Sequence, residues 1–278
     1  MEHFSLNCRG RLLDISRPVV MGILNLTPDS FYDGGQFISK DQILTQAELM
    51  LQAGAKIIDL GGMSSRPGAK LITAEAELER VLPAVKHIRK AFPEAYVSID
   101  TIYSLVAEAC LEEGAHIIND ISAWSYDPLL PEIVAKYGAP YILMHKQGDP
   151  ENMQHAPSYD DVLVEVLDFF IEKLDLLSAM GVRDVVIDPG FGFGKSVIHN
   201  YRLLKYMQSF AILNRPVLAG LSRKSMICKV LGVNPPQALN GTTALHMTAL
   251  EQGARILRVH DVKEAVQCIQ LWEQLQAV

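Results

Sequence analysis

An α/β chain closed into a single (β/α)8 TIM barrel is what three features of the sequence predict together. Short β-branched apolar runs alternate with longer amphipathic runs along the whole length, eight such pairs can be counted, and a small-residue stop recurs before the strands. Eight βα units in 278 residues fit one barrel, with residues 1–18 as an N-terminal extension and 19–278 as the barrel. Length alone favours about two domains. No Gly/Ser-rich linker, change of composition or low-complexity segment divides the chain, so one domain is the better reading.

The strands, in order, are VVMGILNLT from Val19, KIIDLGG from Lys56, YVSIDT from Tyr96, HIINDIS from His116, PYILMH from Pro140, DVVIDPG from Asp184, PVLAGLS from Pro216 and RILRVHD from Arg255. Helical runs such as SKDQILTQAELMLQAG and DDVLVEVLDFFIEKLDLLSAMG separate them. Gly54, Gly114, Gly138, Gly181 and Gly253 end helices as left-handed caps. A doubly wound open sheet competes, but it more often carries a Gly-rich dinucleotide fingerprint after its first strand, and Asn25-Leu26-Thr27-Pro28 stands there.

With 49% hydrophobic and 21% charged residues the chain buries a sizeable core and is not disordered. The longest stretch free of Asp, Glu, Lys and Arg, Val230 to Leu250, is broken by Asn234-Pro235-Pro236 and Asn240-Gly241, so no membrane helix is expected; it reads as an inserted connection before the last helix pair. The first residues lack the apolar run of a signal peptide, which points to the cytoplasm. Cys8, Cys110, Cys228 and Cys268 lie far apart and read as buried thiols rather than a disulfide framework or zinc site. The net charge of −7 argues against general nucleic-acid binding, although a small anion can still bind locally.

In a barrel of this kind the active site forms at the C-terminal ends of the strands. Standing there are Asn25, Asp59, Asp100, Asn119 with Asp120, His145, Asp188, Ser222 with Lys224, and Arg258 with His260. Any one of these has about an even chance of being a turn or cap residue, but eight such ends converge on one cavity. Three loops join them. Asn25 to Gly35 is too long and polar for a minimal turn and reads as a lid. Gly61 to Gly68 offers backbone N–H groups, hydroxyls and the Arg66 guanidinium, the parts of an anion nest. Pro189 to Ser196 imitates a phosphate-binding P-loop and fails, because Pro189 stands where the first Gly is required; what remains is a close-approach loop with aromatic rings, suited to a flat ligand.

Asp100, Asn119 and Asp188 match the donors of an amino-pyrimidinone edge, and Lys224 a ring oxygen or nitrogen. Arg258 and His260 alternate along one strand and so face one side, giving a cationic patch for a phosphate. Lys224 has two rival readings, a solvated surface lysine and the Schiff-base lysine of an aldolase.

At these residues the sequence resembles the dihydropteroate synthases of the pterin-binding barrel family, over essentially the whole chain. MGILNLTPDSFYDGG, DLGGMSSRPGA, SIDT, INDISA, LMHKQGDPENMQ, DPGFGFGKS, LAGLSRKSM, NGTTA and RVHDV carry the resemblance, in the family's order. It implies a transferase of folate biosynthesis that condenses 6-hydroxymethyl-7,8-dihydropterin diphosphate with 4-aminobenzoate, with Mg2+, giving 7,8-dihydropteroate and diphosphate. It implies that Asn25 contacts the metal, that Asn25, Ser65, Arg66, Arg258 and His260 hold the diphosphate, and that Asp100, Asn119, Asp188 and Lys224 read the pterin. Of these, Lys224, Asp100 and Asp188 are the expected catalytic residues. Phe31, Ser65, Pro67, Phe193, Ser222 and Ser225 are expected in the aminobenzoate pocket. A homodimer formed through helices distant from the site, and sensitivity to sulfonamides, are further implications.

Two departures from the family stand in the second loop, which usually reads Glu-Ser-Thr-Arg-Pro-Gly. Ser65 lacks a methyl, expected to loosen aminobenzoate packing by about 1 kcal/mol if the site is closed. Met63 lacks a carboxylate whose role the sequence does not disclose. Two alternatives stay open at this point: a methyltetrahydrofolate:corrinoid methyltransferase, which needs no diphosphate patch, and a non-catalytic binding barrel, in which several of these groups would be lost.

Overall fold

The structure, a computed structural model, describes residues 4–27, 39–64, 68–148, 153 and 157–278. It opens with an antiparallel hairpin, β1 (Ser5–Cys8) and β2 (Arg11–Asp14). Eight parallel strands then close a barrel: β3 (Val19–Asn25), β4 (Ile57–Gly61), β5 (Tyr96–Asp100), β6 (Ile117–Asp120), β7 (Tyr141–Met144), β8 (Val185–Asp188), β9 (Val217–Ala219) and β10 (Ala254–Val259), with β10 returning against β3. All eight coincide with the strands expected from the sequence. Between them run α1 (Lys40–Gln52), α2 (Ala74–Ala91), α3 (Ser104–Glu112), α4 (Leu130–Tyr137), α5 (Val162–Ala179), α6 (Val197–Lys205), α7 (Ser225–Leu231) and α8 (Leu239–Glu251), and α9 (Val262–Gln276) follows β10.

Ser39 and Gln42 cap α1 reciprocally, each side chain binding the other's backbone N–H. The five glycines expected as helix stops all have positive φ, from 59° at Gly138 to 104° at Gly54. The charge-free stretch is not an inserted connection: it is the end of α7, a Pro235–Gln237 turn and most of α8. It lacks charge because α8 buries Thr242, His246, Ala249 and Leu250, while its remaining positions are filled by neutral residues.

Period-two alternation divides each strand between two apolar masses. Val20, Ile58, Val97, Ile118, Leu143, Ile187, Ala219 and Leu257 face outward into the layer shared with the helices. Met21, Ile57, Tyr96, Ile117, Ile142, Val186, Leu218 and Ile256 face inward near the strand starts and pack with Leu6, Cys8, Leu13 and Ile15 of the N-terminal segment. The hairpin is therefore the floor of the barrel. Two residues further along the same inward faces come Asp59, Ser98, Asn119, Met144, Asp188 and Arg258, so the lower interior is apolar and the upper interior polar. Among the described residues, no helix is long and apolar enough to cross a membrane.

One buried carboxylate supports the mouth from behind. Glu77 of α2 is fully buried and accepts the Thr101 hydroxyl at 2.6 Å, while its Oε1 has no partner among the described residues. Burial raises its pKa from the ordinary 4.5 to about 7, Asp100 adding to the rise while the Thr101 bond and Arg80 oppose it. A folded-state pKa above the unfolded value means stability present below about 4.5 and lost as pH rises through about 7. Glu77→Gln is expected to flatten the fall in melting temperature between about pH 5 and 8, measurable by scanning calorimetry.

Candidate active site

Each strand contributes its last inward residue to the mouth, and the barrel register decides which groups meet. Arg258 lies at the centre. Its Nε donates to Asp59 Oδ2 at 2.7 Å and its NH2 to Asp100 Oδ2 at 2.5 Å, and Asn119 Nδ2 also donates to Asp59 Oδ2, at 3.1 Å. Asp59 is fully buried and its Oδ1 has no partner among the described residues. One guanidinium thus compensates two carboxylates. Burial raises the Asp100 pKa, Asp59 and Asp120 adding to the rise and Arg258 and Lys224 opposing it. Arg258 is pushed in the direction of permanent charge: burial works against it, but Asp59 and Asp100 outweigh burial.

Asn25, the last residue of β3, faces Asp100 across Gly61: a methyl on Gly61 would lie 3.7 Å from both Asn25 Oδ1 and Asp100 Oδ2. On the opposite side of the mouth stands Asp188, whose Oδ1 accepts the Gly190 N–H at 2.7 Å. Its pKa is raised by burial, against the pull of that bond and of Lys224 and Arg258. Lys224 Nζ sits 4.2 Å from the centre of the Phe193 ring. Burial lowers its pKa to about 8, with Asp188 and Asp100 resisting and Arg258 assisting. Lys224 is therefore no solvated surface lysine.

His260 stands two residues beyond Arg258, just past the end of β10, and is exposed. Desolvation, then the charges of Arg258 and Arg223, pull its pKa below the ordinary imidazole value of 6.5, to about 4. The Ser222 hydroxyl accepts the His260 backbone N–H at 3.2 Å and lies 3.0 Å from Nδ1. Both contacts can be met with either ring tautomer, because the hydroxyl can donate to Nδ1 or accept from it through its second lone pair. Ser222, expected in the aminobenzoate pocket, thus lies against His260, expected at the diphosphate.

Ser225 is exposed at the start of α7. Phe31, Ser65, Arg66 and Pro67, and most of the expected lid, lie outside the described residues. Met63 is buried in an apolar cluster with Ile102, Ile121, Met144, Met153 and Phe193 at the rim, where a carboxylate would have no polar partner in the cluster. Sequence reasoning placed Asp59 at a strand end without a role. It also missed Lys195, which is buried with its Nζ 2.9 Å from His145 Nδ1. The signal for Lys195 was its place just past a loop of alternating glycines, and it was set aside with the failed P-loop.

A closed eight-stranded barrel whose mouth gathers buried carboxylates, an amide and cations defines a (β/α)8-barrel enzyme. Residues 21–260 match the family described as pterin binding enzyme. The chain is 48% identical over 270 residues to the dihydropteroate synthase of Escherichia coli strain K12, covering 96% of this chain and 95% of that one. It superposes on the crystal structure of the Yersinia pestis dihydropteroate synthase with a sulfonamide drug complex with a TM-score of 0.94 and 44% identity, covering 99% and 100% of the two chains. The Xanthomonas albilineans dihydropteroate synthase with 4-aminobenzoic acid gives a TM-score of 0.93 and 40% identity, with 100% of both chains covered. The chain belongs to the dihydropteroate synthase family of pterin binding enzymes. It is a transferase.

Proposed function

We propose that the mouth condenses 6-hydroxymethyl-7,8-dihydropterin diphosphate with 4-aminobenzoate, giving 7,8-dihydropteroate and diphosphate, with the pterin on Asp100, Asn119, Asp188 and Lys224 and the diphosphate toward Asn25, Ser65, Arg66, Arg258 and His260. The observation that carries this reading is the position of Arg258, held between Asp59 and Asp100 beside Asn119. It adjoins both the ring-reading carboxylates and His260, where a ring and its anionic substituent meet. The near-full-length relatives favour the synthase over the corrinoid methyltransferase and over a silent barrel. They lend no support to an aldolase role for Lys224.

The reaction breaks the bond between the exocyclic methylene carbon and the diphosphate oxygen, which keeps the electron pair. The arylamine nitrogen bonds to that carbon and gives up one proton to water or diphosphate. Arg66 and Arg258 neutralise the leaving group, while the His260 ring offers it a hydrogen bond. As positive charge spreads over the dihydropterin ring, Asp100 and Asp188 have the sign to stabilise it, and no nucleophilic side chain is required. This makes the course SN1-like. Phe31, Ser65, Pro67, Phe193, Ser222 and Ser225 are assigned to the aminobenzoate side.

Mg2+ fits this donor set. The Asn25 amide offers a hard, neutral oxygen beside Asp100 and would hold the ion together with oxygens of the diphosphate. Among the described residues no three His, Cys, Asp or Glu side chains are grouped to hold a metal. When bound, the ion supplies charge neutralisation to the departing diphosphate.

The hairpin's share in the barrel floor supports reading residues 1–278 as one domain. Exposed Ile198 of α6 and Val230 and Leu231 of α7 support a homodimer through helices away from the mouth. Four unpaired thiols accord with the cytoplasm. The test is formation of dihydropteroate from the two substrates with and without Mg2+. Magnesium-dependent product is expected, and no product from folded protein under both conditions overturns the reading.

A further inference from the structure

Lys195 presents a chemistry that the reaction leaves unused. Its Nζ lies 3.0 Å from the carbonyl oxygen of Gly190, 3.0 Å from that of Phe193, 3.3 Å from that of His145 and 2.9 Å from His145 Nδ1, and the side chain is 2% exposed. Three backbone carbonyls and a ring nitrogen around one ammonium make a cation cage, built from the exit of β7 and the loop that follows β8. Burying an ammonium costs several kcal/mol unless its hydrogens are all taken up, which the cage does.

The cage has tight walls. Gly190 has φ +68° and a methyl there would lie 1.9 Å from the His145 carbonyl oxygen; Gly194 has φ +63° and a methyl there would lie 2.0 Å from that of Gln147. Asn200 of α6 holds the loop from the side: its Oδ1 accepts the Gly192 N–H at 2.7 Å, and its Nδ2 donates to the Ser196 carbonyl at 2.7 Å and the Lys195 carbonyl at 3.2 Å. Residues 190–194 are thus seated on the β7 exit by glycine contacts, by Asn200 and by the Lys195 ammonium.

Two groups of the mouth depend on this loop. The Gly190 N–H orients Asp188, and the Phe193 ring lies under the Lys224 ammonium. We propose that Lys195 is a positioning residue whose ammonium, bound by the carbonyls of His145, Gly190 and Phe193, fixes the loop that sets Asp188 and Lys224 for the pterin ring. It touches no substrate, and its role rests on the reading of Asp188 and Lys224 given above.

The test is a titration with 6-hydroxymethylpterin diphosphate alongside steady-state kinetics. Lys195→Met, which keeps the length and removes the charge, is expected to raise the pterin Kd and the KM for the dihydropterin diphosphate about tenfold or more, with kcat within about threefold of wild type. A merely structural lysine would lower the folded fraction, and with it kcat, while leaving Kd unchanged. Lys195→Ala is expected to regain about fivefold or more of the lost affinity in ethylammonium chloride, and not in sodium chloride of equal ionic strength, because a small alkylammonium refills the cage. Wild-type affinity in Lys195→Met, or a folded Lys195→Ala that ethylammonium does not restore, overturns the proposal. So does failure of both variants to fold, which would make Lys195 a folding residue. Lys224→Ala in the same titration separates the two readings: unchanged affinity there faults the pterin assignment, not Lys195.

Discussion

Arg258→Ala is expected to lower kcat/KM about a hundredfold or more and to lower the melting temperature by about 10 °C. The sequence alone gives only the first half of this, with the fold untouched. The second half comes from the ion pairs. Asp59 is fully buried, Asp100 nearly so, and Arg258 is their shared partner. Removing one member of a buried ionic network leaves uncompensated charge and costs about 3–5 kcal/mol. Asp59 and Asp100 then both lose their shared cation, and the diphosphate loses the guanidinium proposed to neutralise it. Because the loss is electrostatic, Arg258→Ala/Asp59→Asn should recover part of the stability without recovering turnover. Calorimetry and product formation on both variants check this; an Arg258→Ala enzyme with near-wild-type rate and melting temperature contradicts it.

Lys224→Ala is expected to cut turnover about a hundredfold or more, equivalent to about 2.7 kcal/mol of transition-state stabilisation, with little change in melting temperature. Unlike Arg258, Lys224 makes no close ion pair with a described residue; it rests on the Phe193 ring, with Asp188 and Asp100 as its main charge partners. Its removal leaves space beside the Phe193 ring and takes away the cation proposed to meet the pterin. The pH dependence is specific. Burial brings the Lys224 pKa to about 8, so the group is a cation below that pH and neutral above it. Affinity for the dihydropterin substrate should therefore fall as pH rises through about 8, and Lys224→Arg, charged throughout, should lose that fall even where its rate is lower. An unchanged alkaline limb in Lys224→Arg would assign the titration to another group.

The eight strands were legible because every one pairs an inward apolar start with a polar end, and Gly54, Gly114, Gly138, Gly181 and Gly253 stand ahead of five of them. That regularity also exposed the members of the mouth, from Asn25 to His260. Their pairing was not legible. Arg258 meets Asp59 and Asp100 across sequence separations of 199 and 158, and only the closure of β10 on β3 brings them together. The surroundings of His260 were not legible either, since Arg258 and Arg223, which lower its pKa, come near it through tertiary contacts that no local pattern displays. Lys195 was hidden for a related reason: its partners are backbone carbonyls, which leave no trace in residue identity. Met63, a departure without explanation in the sequence, belongs to a rim cluster of apolar side chains drawn from the ends of five strands, β4 to β8, and the loops that follow them.

The assignment of the ring pocket is tested most directly by the equilibrium affinity of 6-hydroxymethylpterin diphosphate, read from pterin fluorescence, for the wild type and for Asp188→Asn and Asn119→Ala. One molecule bound per chain, with affinity weakened about tenfold or more in each variant, is the predicted result. Equal affinity in all three proteins would contradict it and place the pterin elsewhere.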